Sequence, residues 1–254
     1  NEICTEYFGE GLDWLFAERR DRLSGILNGI DYLEFNPEED DQIYEVYGIN
    51  DSLEKKIKNK QLLCKELGLA DSNKPLYSIV SRLTWQKGIK LVIDAAYHLA
   101  STGANIVILG SGENELELRI EELRRQYPES VAIYIGYNDE LAHKIYASSD
   151  FFLMPSLYEP CGLGQMIAQR YGTLPMVRAI GGLKDSVVGY NGINQDFANG
   201  FTFNDFDGAA FVRVSDATLN VYSDKKLFEK LQKNAMSVDN SWTKSAKNYL
   251  EIYK

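Results

Sequence analysis

The feature that most constrains the fold is a regular alternation of short apolar runs and longer amphipathic segments after residue 75. The apolar runs predict strands at 76–81, 105–109, 131–135, 151–154 and 175–177. The segments between them predict helices at 89–100, 115–127, 139–148 and 165–171, the third of them capped by Asp139. Because helices connect successive strands, the strands must run parallel. The pattern therefore predicts an α/β fold with a doubly wound parallel sheet.

Helical patterns flank this alternating region on both sides. An amphipathic segment at 55–67 predicts a helix that ends at Gly68, and residues 71–75 predict a loop before the first strand. After Phe203 the pattern contains only helices, the last of them at 242–253. No strand is predicted beyond 175–177.

Length, charge and cysteine content narrow the class of protein. A chain of 254 residues with 44% hydrophobic residues can bury a sizeable core, and no apolar run approaches the roughly 18 residues of a membrane span. The net charge of −10 argues against a nucleic-acid partner and requires local cations for any anionic ligand. Three widely spaced cysteines fit free thiols in a reducing compartment. We expect a soluble, cytoplasmic protein without membrane contact.

The loop after the predicted strand at 151–154 carries the residue types of a sugar-phosphate site. Pro155 and Gly162 interrupt the chain before the next helix. Glu159 therefore lies in a strand-to-helix loop, and residues 161–164 lie at a helix N-terminus. Free N–H groups at a helix N-terminus attract anions and hydroxyl oxygens. Since ligands of open parallel sheets bind at the carboxyl ends of strands, we expect a sugar joined to a phosphate to bind here.

Several motifs stand in order along the chain: GILNGID at 25–31, SRLTWQKG at 81–88, IGY at 135–137, PSLYEPCGLGQ at 155–165 and GGLKDSV at 181–187. Together they resemble the bacterial glycogen synthase and plant starch synthase family of retaining glucosyltransferases. The resemblance implies the C-terminal, Rossmann-like, donor-binding half of the two-domain GT-B architecture. It also implies that glucose is transferred from ADP-glucose, or UDP-glucose, to the non-reducing end of an α-1,4-glucan acceptor.

The resemblance also predicts how the chain is organised. The family's N-terminal Lys-x-Gly-Gly-Leu signature does not occur in this sequence, and the chain begins at Asn1, inside what resembles an interdomain region. We expect residues 1–75 to be an interdomain-derived segment packed on a nucleotide-sugar-binding domain at 76–254. The missing N-terminal domain of the same protein is the expected partner, and the chain alone is expected to be inactive.

Arg82 and Lys87 follow the first predicted strand, and Gly88 opens the next helix. The matching segment of the family binds phosphate, so the resemblance makes Arg82 and Lys87 catalytic candidates. Two cations there stabilise the charge that grows on a departing nucleoside diphosphate, and they act more on the transition state than on the ground state. They can stand in for a divalent metal, so we expect neither a metal nor a cofactor. Without the resemblance, surface cations flanking a turn would explain the same residues.

Glu159 is the third catalytic candidate. The matching carboxylate of the family lies against the donor glucose and accepts hydrogen bonds from its hydroxyls, whereas a glutamate capping the next helix is the simpler alternative. Broader retaining transferases often carry a second glutamate eight residues later, where this chain has Ile167. Glycogen and starch synthases characteristically lack it as well. A single carboxylate in this loop provides no local pair for double displacement, and the family is described as reacting on the front face of the sugar.

The resemblance marks eight further residues as donor-binding candidates: Asn28, Tyr137, Cys161, Gly162, Leu163, Gly164, Gly181 and Gly182. We interpret the backbone N–H groups of Cys161, Gly162 and Leu163 as donors to glucose hydroxyls. A nucleophilic thiol, with a pKa lowered at a helix N-terminus, is the alternative for Cys161. No histidine near it in sequence supports that role, because His98 and His143 lie in helical patterns and are interpreted as structural.

Most of the other donor-binding candidates also have simpler structural explanations. Gly164 stands where the family often carries threonine, so a backbone contact to phosphate would replace a side-chain contact. Tyr137 resembles an adenine-stacking tyrosine, although packing at a strand end would also explain it. Asn28 resembles a glucose-contacting asparagine, although an Asn-Gly turn would explain it equally. Gly181 and Gly182 would allow the backbone to approach the diphosphate closely.

Two other classes of protein stay open at this point. The first is another sugar-nucleotide enzyme of GT-B architecture, such as a sucrose synthase-type transferase or an epimerase. The motifs around Arg82 and Glu159, together with Ile167, weigh against it. The second is a non-catalytic nucleotide- or glucan-binding module, which would be indicated by loss of the charged candidates, and these are present. The donor base is open between adenine and uracil, with ADP-glucose favoured because bacterial relatives usually use it.

Overall fold

The computed structural model describes residues 2–51 and 54–254. Its sheet contains six strands: β1 (Leu76–Val80), β2 (Asn105–Gly110), β3 (Val131–Ile135), β4 (Phe151–Met154), β5 (Leu174–Arg178) and β6 (Phe201–Phe203). Neighbouring strands all pair in parallel, in the order β3-β2-β1-β4-β5-β6. This is the order of a doubly wound, Rossmann-like sheet, so the expected α/β fold class is confirmed.

Helices cover both faces of the sheet. Those in the described residues are α1 (Asp13–Glu18), α2 (Glu54–Glu66), α3 (Ile89–Ser101), α4 (Asn114–Gln126), α5 (Asp139–Ser148), α6 (Gly164–Arg170), α7 (Gly181–Ser186), α8 (Gly208–Ser223), α9 (Lys225–Ser237) and α10 (Trp242–Ile252). Buried side chains of α3, α4, α8 and α9 form the core on one face, and those of α2, α5 and α6 form it on the other. None of these helices is both long and apolar enough to pass through a membrane.

Burial on both faces explains why the strands have nearly continuous apolar sequences. All six residues of β2 are buried, as are the first four of β1. Successive side chains of a strand point to opposite faces, so Tyr77 stacks on Phe151 within one core while Leu76 joins the other.

Three features differ from the expectations drawn from sequence. The short strand β6 lies outside the predicted strands, because its three residues are ordered by pairing with residues 176–178 rather than by a local pattern. The helices α1 and α7, of six residues each, are likewise too short for a periodic signal. The predicted aspartate cap of α5 is wrong: the N-cap is Asn138, whose Oδ1 accepts a hydrogen bond from the Leu141 N–H at 3.0 Å. Asp139 is the first helical residue instead.

Residues ahead of β1 pack on the elements that follow it. The Tyr47 hydroxyl donates to the carbonyl oxygens of Ala147 and Tyr171, at 3.2 and 2.8 Å. Ile30 pairs with Ser241 in an isolated parallel bridge beside α10. The division of the chain into 1–75 and 76–254 stays a prediction, and residues 1, 52 and 53 of the first segment lie outside the described residues.

The strand order determines where a ligand site can form. β1 and β4 lie side by side, but the chain leaves β1 toward β2 on one side and leaves β4 toward β5 on the other. The loops that follow them therefore diverge and leave a crevice at the carboxyl ends of both strands.

Candidate functional site

A cavity of about 540 Å³ opens at the carboxyl ends of β1 and β4. Its wall contains most of the residues singled out from sequence: Asn28, Arg82, Lys87, Glu159, Cys161, Gly162, Leu163 and Gly164. The other candidates, Tyr137, Gly181 and Gly182, do not line it. The fold therefore brings three separate motifs to one place.

A short 3₁₀ turn, Trp85–Lys87, positions Lys87 and ends at Gly88. Gly88 has a φ of +70°, and a Cβ at this position would lie 2.1 Å from the carbonyl oxygen of Pro155. Glycine is the residue that tolerates both this conformation and this close approach. The β1 loop can therefore lie directly against the β4 loop, which places Lys87 beside Glu159.

Lys87 and Glu159 form an ion pair in the cavity wall, with Nζ 2.5 Å from Oε2. Oε2 also accepts a hydrogen bond from the Ser156 hydroxyl at 3.3 Å. Arg82 is exposed and makes no ion pair within residues 2–51 and 54–254. The wall thus carries two cations and one carboxylate, a local positive excess in a chain whose net charge is −10. That excess suits an anionic ligand.

The geometry excludes the simpler role for Glu159. Its carboxylate contacts Lys87 and Ser156, and the N-cap position of α6 is Leu163, which makes no side-chain cap hydrogen bond. Glu159 is therefore a buried wall residue of the cavity, only 7% exposed, and does not cap the helix that follows.

Two glycines allow the loop before α6 to fold tightly. Gly162 has a φ of +72°, and a Cβ there would lie 2.5 Å from Oε1 of Gln165. A Cβ on Gly164 would lie 2.9 Å from the ring of Phe152, so the helix starts close to the sheet. The Gln165 amide donates to the carbonyl oxygens of Cys161 and Gly162, at 3.1 and 3.0 Å. These contacts hold the loop that forms one side of the cavity.

The environment of Cys161 opposes a nucleophilic role. Burial raises the pKa of its thiol, and this outweighs the hydrogen bond from the Asn28 backbone that lowers it. A raised pKa disfavours the reactive thiolate at neutral pH. Neither His98 nor His143 lines the cavity, so no imidazole is placed there as a base. The interpretation of Cys161 as a backbone contact stays a prediction.

Gly181 and Gly182 lie behind the β4 loop rather than in the cavity wall. The Gly182 N–H donates to the carbonyl oxygen of Glu159 at 3.0 Å. A Cβ on Gly181 would lie 2.2 Å from that oxygen, and one on Gly182 would lie 2.3 Å from the carbonyl oxygen of Cys161. The two glycines thus allow α7 to support the loop of Glu159, and their predicted contact with a diphosphate stays a prediction.

Tyr137 lies farther along the same edge of the sheet, just after β3. It is 85% exposed, and its hydroxyl donates to Oδ1 of Asp139 at 3.0 Å. This excludes the alternative that Tyr137 is packed at the strand end. An exposed aromatic ring of this kind is suited to stacking on a base, and that role also stays a prediction.

Sequence reasoning missed Arg178, which supports the β4 loop from the end of β5. Its Nη1 donates to the carbonyl oxygen of Leu157 at 2.6 Å, and its Nε donates to that of Asn204 at 2.9 Å. The only local signal was a basic residue directly after an apolar run. Its partners are distant in sequence, so the pattern could not reveal its role.

These features define a class of protein: a Rossmann-like α/β domain with a cation-bearing cavity at the switch point of its sheet, as in domains that bind nucleotides. Comparison with known families specifies the class further. The family described as "Glycosyl transferases group 1" matches residues 65–238, and the chain belongs to this family. The resemblance to glycosyltransferases is therefore confirmed.

The chain is similar to curated glycogen synthases over its whole length. It is 47% identical over 254 residues to the glycogen synthase of Clostridium perfringens (strain 13 / Type A), covering 100% of this chain and 52% of that protein. It is 46% identical over 254 residues to the glycogen synthase of Bacillus anthracis, covering 100% of this chain and 53% of that protein. The chain thus spans about half the length of the curated relatives it matches.

The chain is also similar to solved structures. The catalytic domain of starch synthase IV from Arabidopsis thaliana, bound to ADP and acarbose, is 37% identical with a TM-score of 0.92, and the match covers 99% of this chain and 52% of that one. Sucrose-phosphate synthase from Thermosynechococcus elongatus is 20% identical with a TM-score of 0.62, covering 93% of this chain and 55% of that one. That second likeness shows only a shared fold.

Proposed function

We propose that this chain is the donor-binding part of a glycogen synthase, which transfers glucose from ADP-glucose to the non-reducing end of an α-1,4-glucan with retention. The observation that carries the proposal is the convergence of Arg82, Lys87 and Glu159 on one cavity at the carboxyl ends of β1 and β4. The similarity to glycogen synthases along the whole chain supports the reaction. The ADP bound to the similar starch synthase supports adenine as the donor base.

In this proposal Arg82 and Lys87 act on the leaving group. Negative charge grows on the departing ADP as the glycosidic bond breaks, and fixed cations stabilise it most in the transition state. Lys87 is held at its place by Glu159, so it needs little reorganisation when the diphosphate arrives. Arg82 is exposed and is the cation that can reorient toward the ligand.

Glu159 acts on the sugar. A glucosyl group that loses its leaving group passes through a state with positive charge at the ring, and a nearby carboxylate stabilises that state. Backbone N–H groups of Cys161, Gly162 and Leu163 bind glucose hydroxyls from the same loop. Gly164 contacts phosphate through its backbone.

The outer candidates complete the donor site. Asn28 contacts the glucose, and its place in the cavity wall supports this. Tyr137 stacks on the adenine with its exposed ring. Gly181 and Gly182 approach the diphosphate from behind the β4 loop. The nucleotide would thus extend from the switch point toward the end of β3.

The second domain of the full-length protein is the proposed partner. It would supply the acceptor site for the glucan and cover apolar side chains near both ends of the chain, where Trp14 is 62% and Trp242 is 46% exposed. Residues 1–75 would link the two domains. Three unpaired cysteines support a cytoplasmic location.

The proposal is tested by calorimetric titration of the chain with ADP and with UDP. We expect ADP to bind more tightly, and Arg82→Ala to weaken its affinity about tenfold to hundredfold, since a charged hydrogen bond contributes about 1.5–3 kcal/mol. Lys90→Ala is the matched control, because Lys90 is an exposed cation on α3 that does not line the cavity. An ADP affinity that is unchanged by Arg82→Ala, or lowered equally by Lys90→Ala, would contradict the proposed site.

A transfer assay tests the need for the second domain. We expect the chain alone to add no glucose from ADP-glucose to glycogen, because the acceptor contacts are missing. Appreciable transfer by the purified chain would contradict this part of the proposal.

A further inference from the structure

A second convergence of polar side chains lies between the loop at 31–40 and the first turns of α5. His143 of α5 is 0% exposed, and its Nδ1 lies 2.8 Å from Oδ2 of Asp40. The same oxygen accepts a hydrogen bond from the Tyr171 hydroxyl at 2.5 Å. Because a carboxylate only accepts hydrogen bonds, the contact assigns the proton of the neutral imidazole to Nδ1 and leaves a lone pair on Nε2.

That second nitrogen of His143 is unusual because it is buried without a partner. Within the described residues, Nε2 has no hydrogen-bond partner. The ring cannot easily turn to find one, since Phe35 stacks on its face with centroids 4.9 Å apart and Asp40 holds the opposite edge. Buried polar atoms of native proteins nearly always have a partner, and an orphaned one points to a bound water or ion.

Two carboxylates lie near the ring of His143. One oxygen each of Glu34 and Asp139, together with a ring nitrogen of His143, lie within 4.8 Å of one another. Glu34 comes from the loop and Asp139 from the start of α5, and both are exposed. Carboxylates held this close repel each other unless a positive charge lies between them.

The field at this point favours positive charge. Asp40, Asp139 and Glu34 place three carboxylates around the ring of His143. Tyr137 adds to the cluster by donating its hydroxyl to Asp139.

We propose that Glu34, Asp139 and His143 form a binding site for a divalent transition-metal ion of the zinc class. An imidazole nitrogen and two carboxylate oxygens are a suitable donor set, with water in the remaining position. Metal-bound histidines usually donate their other N–H to a carboxylate, and Asp40 is placed to accept it. The exposed side chains of Glu34 and Asp139 can close on an ion because solvent, not packing, surrounds them.

Such an ion would join two parts of the molecule. It would link the loop at 31–40 to α5. It would also fix Asp139, which accepts a hydrogen bond from Tyr137 just after β3. None of the three ligands lines the cavity that holds Arg82. The ion would therefore stabilise the edge of the nucleotide site without contacting the reacting atoms.

The test is metal binding by the chain after treatment with a chelator. We expect a single Zn²⁺ to bind in calorimetry at neutral pH and to raise the midpoint of thermal unfolding. Co²⁺ should bind at the same site and give a visible spectrum with intensity typical of low coordination. Glu34→Gln and Asp139→Asn should each lower the Zn²⁺ affinity about tenfold or more.

Two matched controls separate this site from general binding to an acidic surface. Glu39→Gln removes another exposed carboxylate from the same loop and should leave the affinity unchanged. His98→Gln removes the other of the two histidines and should leave the Co²⁺ spectrum unchanged. The proposal is overturned if no Zn²⁺ binds, which would mean that a proton or water satisfies Nε2, or if binding survives both ligand substitutions. Because these readouts do not use ADP, they stand apart from the donor-site proposal.

Discussion

Two lysine–carboxylate pairs lie at opposite ends of the same two strands. At the carboxyl ends of β1 and β4, Lys87 and Glu159 form a 2.5 Å ion pair with side chains 18% and 9% exposed. At the amino ends, Lys60 and Asp150 form a 2.6 Å pair with side chains 5% and 9% exposed. The two pairs have nearly the same geometry but very different surroundings.

The partners around each pair explain the difference. Asp150 also accepts a hydrogen bond from the N–H of Leu76 at 2.7 Å, and Lys60 donates to the Tyr222 hydroxyl at 3.0 Å. Burial alone would lower the pKa of Lys60, but Asp150 and Tyr222 raise it above its ordinary value. Both pairs line a cavity, but the amino-end pair is the more buried and has the Leu76 N–H and the Tyr222 hydroxyl as further protein partners. The same two groups can therefore fix a fold at one end of a sheet, while at the other end we propose that they receive a ligand.

The largest effect expected is on stability at the amino end. Asp150→Asn leaves Lys60 buried without its carboxylate, which should lower the free energy of unfolding by about 3–5 kcal/mol. Glu159→Gln should lower it far less, on the order of 1 kcal/mol, because Lys87 reaches solvent through the cavity. Urea unfolding of both variants measures the contrast. Equal losses would show that the carboxyl-end pair is also structural.

The next effect is on turnover at the carboxyl end. In the full-length enzyme, Arg82→Ala and Lys87→Ala should lower kcat more than they raise KM. Each substitution should lower kcat by about one to two decades, since a charged hydrogen bond contributes about 1.5–3 kcal/mol. The reason is that the charge of the leaving group grows toward the transition state. An unchanged kcat with a raised KM would instead assign uniform binding to both cations.

Glu159 and Cys161 should differ in their response to substitution. Glu159→Gln keeps the shape and removes the charge, so turnover of the full-length enzyme should fall by at least a decade, about 1.4 kcal/mol. Cys161→Ser keeps the backbone N–H groups and should retain most activity. Steady-state kinetics would contradict the assignment if Cys161→Ser were as inactive as Glu159→Gln.

The smallest expected effect is a dependence of stability on pH, which arises at the amino ends of the strands. Burial lowers the pKa of Lys56, which neighbours Lys60, to about 7. The unfolded chain then binds more protons than the folded chain above that pH, so stability should rise by about 1 kcal/mol per pH unit between pH 7 and 9. Below the folded pKa this gain is absent. Lys56→Met should remove the slope, measured as the difference in free energy of unfolding between the two proteins, and an unchanged slope would assign it to another group.

Much of the fold was determined by local sequence. The strands Val131–Ile135 and Phe151–Met154 have the predicted bounds. Phe151–Met154 lies inside the sheet, where a strand covered on both faces needs a continuous apolar run. The positions of Arg82 and Glu159 also follow from local sequence. Each follows a parallel strand, and such loops meet at one edge of the sheet.

Other features depended on the path of the whole chain. The strand β6 exists because β5 offers it hydrogen bonds, and Asp150 became a structural residue because β1 begins beside it. Gly182 supports the β4 loop through a contact that no local pattern encodes. The cluster at His143 has the same origin.

The physical reason is the range of each interaction. Hydrophobic periodicity and turn chemistry act over a few neighbouring residues, so the sequence reveals them directly. Ion pairs and metal ligands act between side chains that only tertiary packing brings within a few ångströms. Glu34 and Asp139 lie far apart in the chain, and only the docking of the loop at 31–40 on α5 makes them neighbours. The sequence therefore determined the elements and the edge of the sheet that carries the candidate site, and the tertiary structure decided which charges meet.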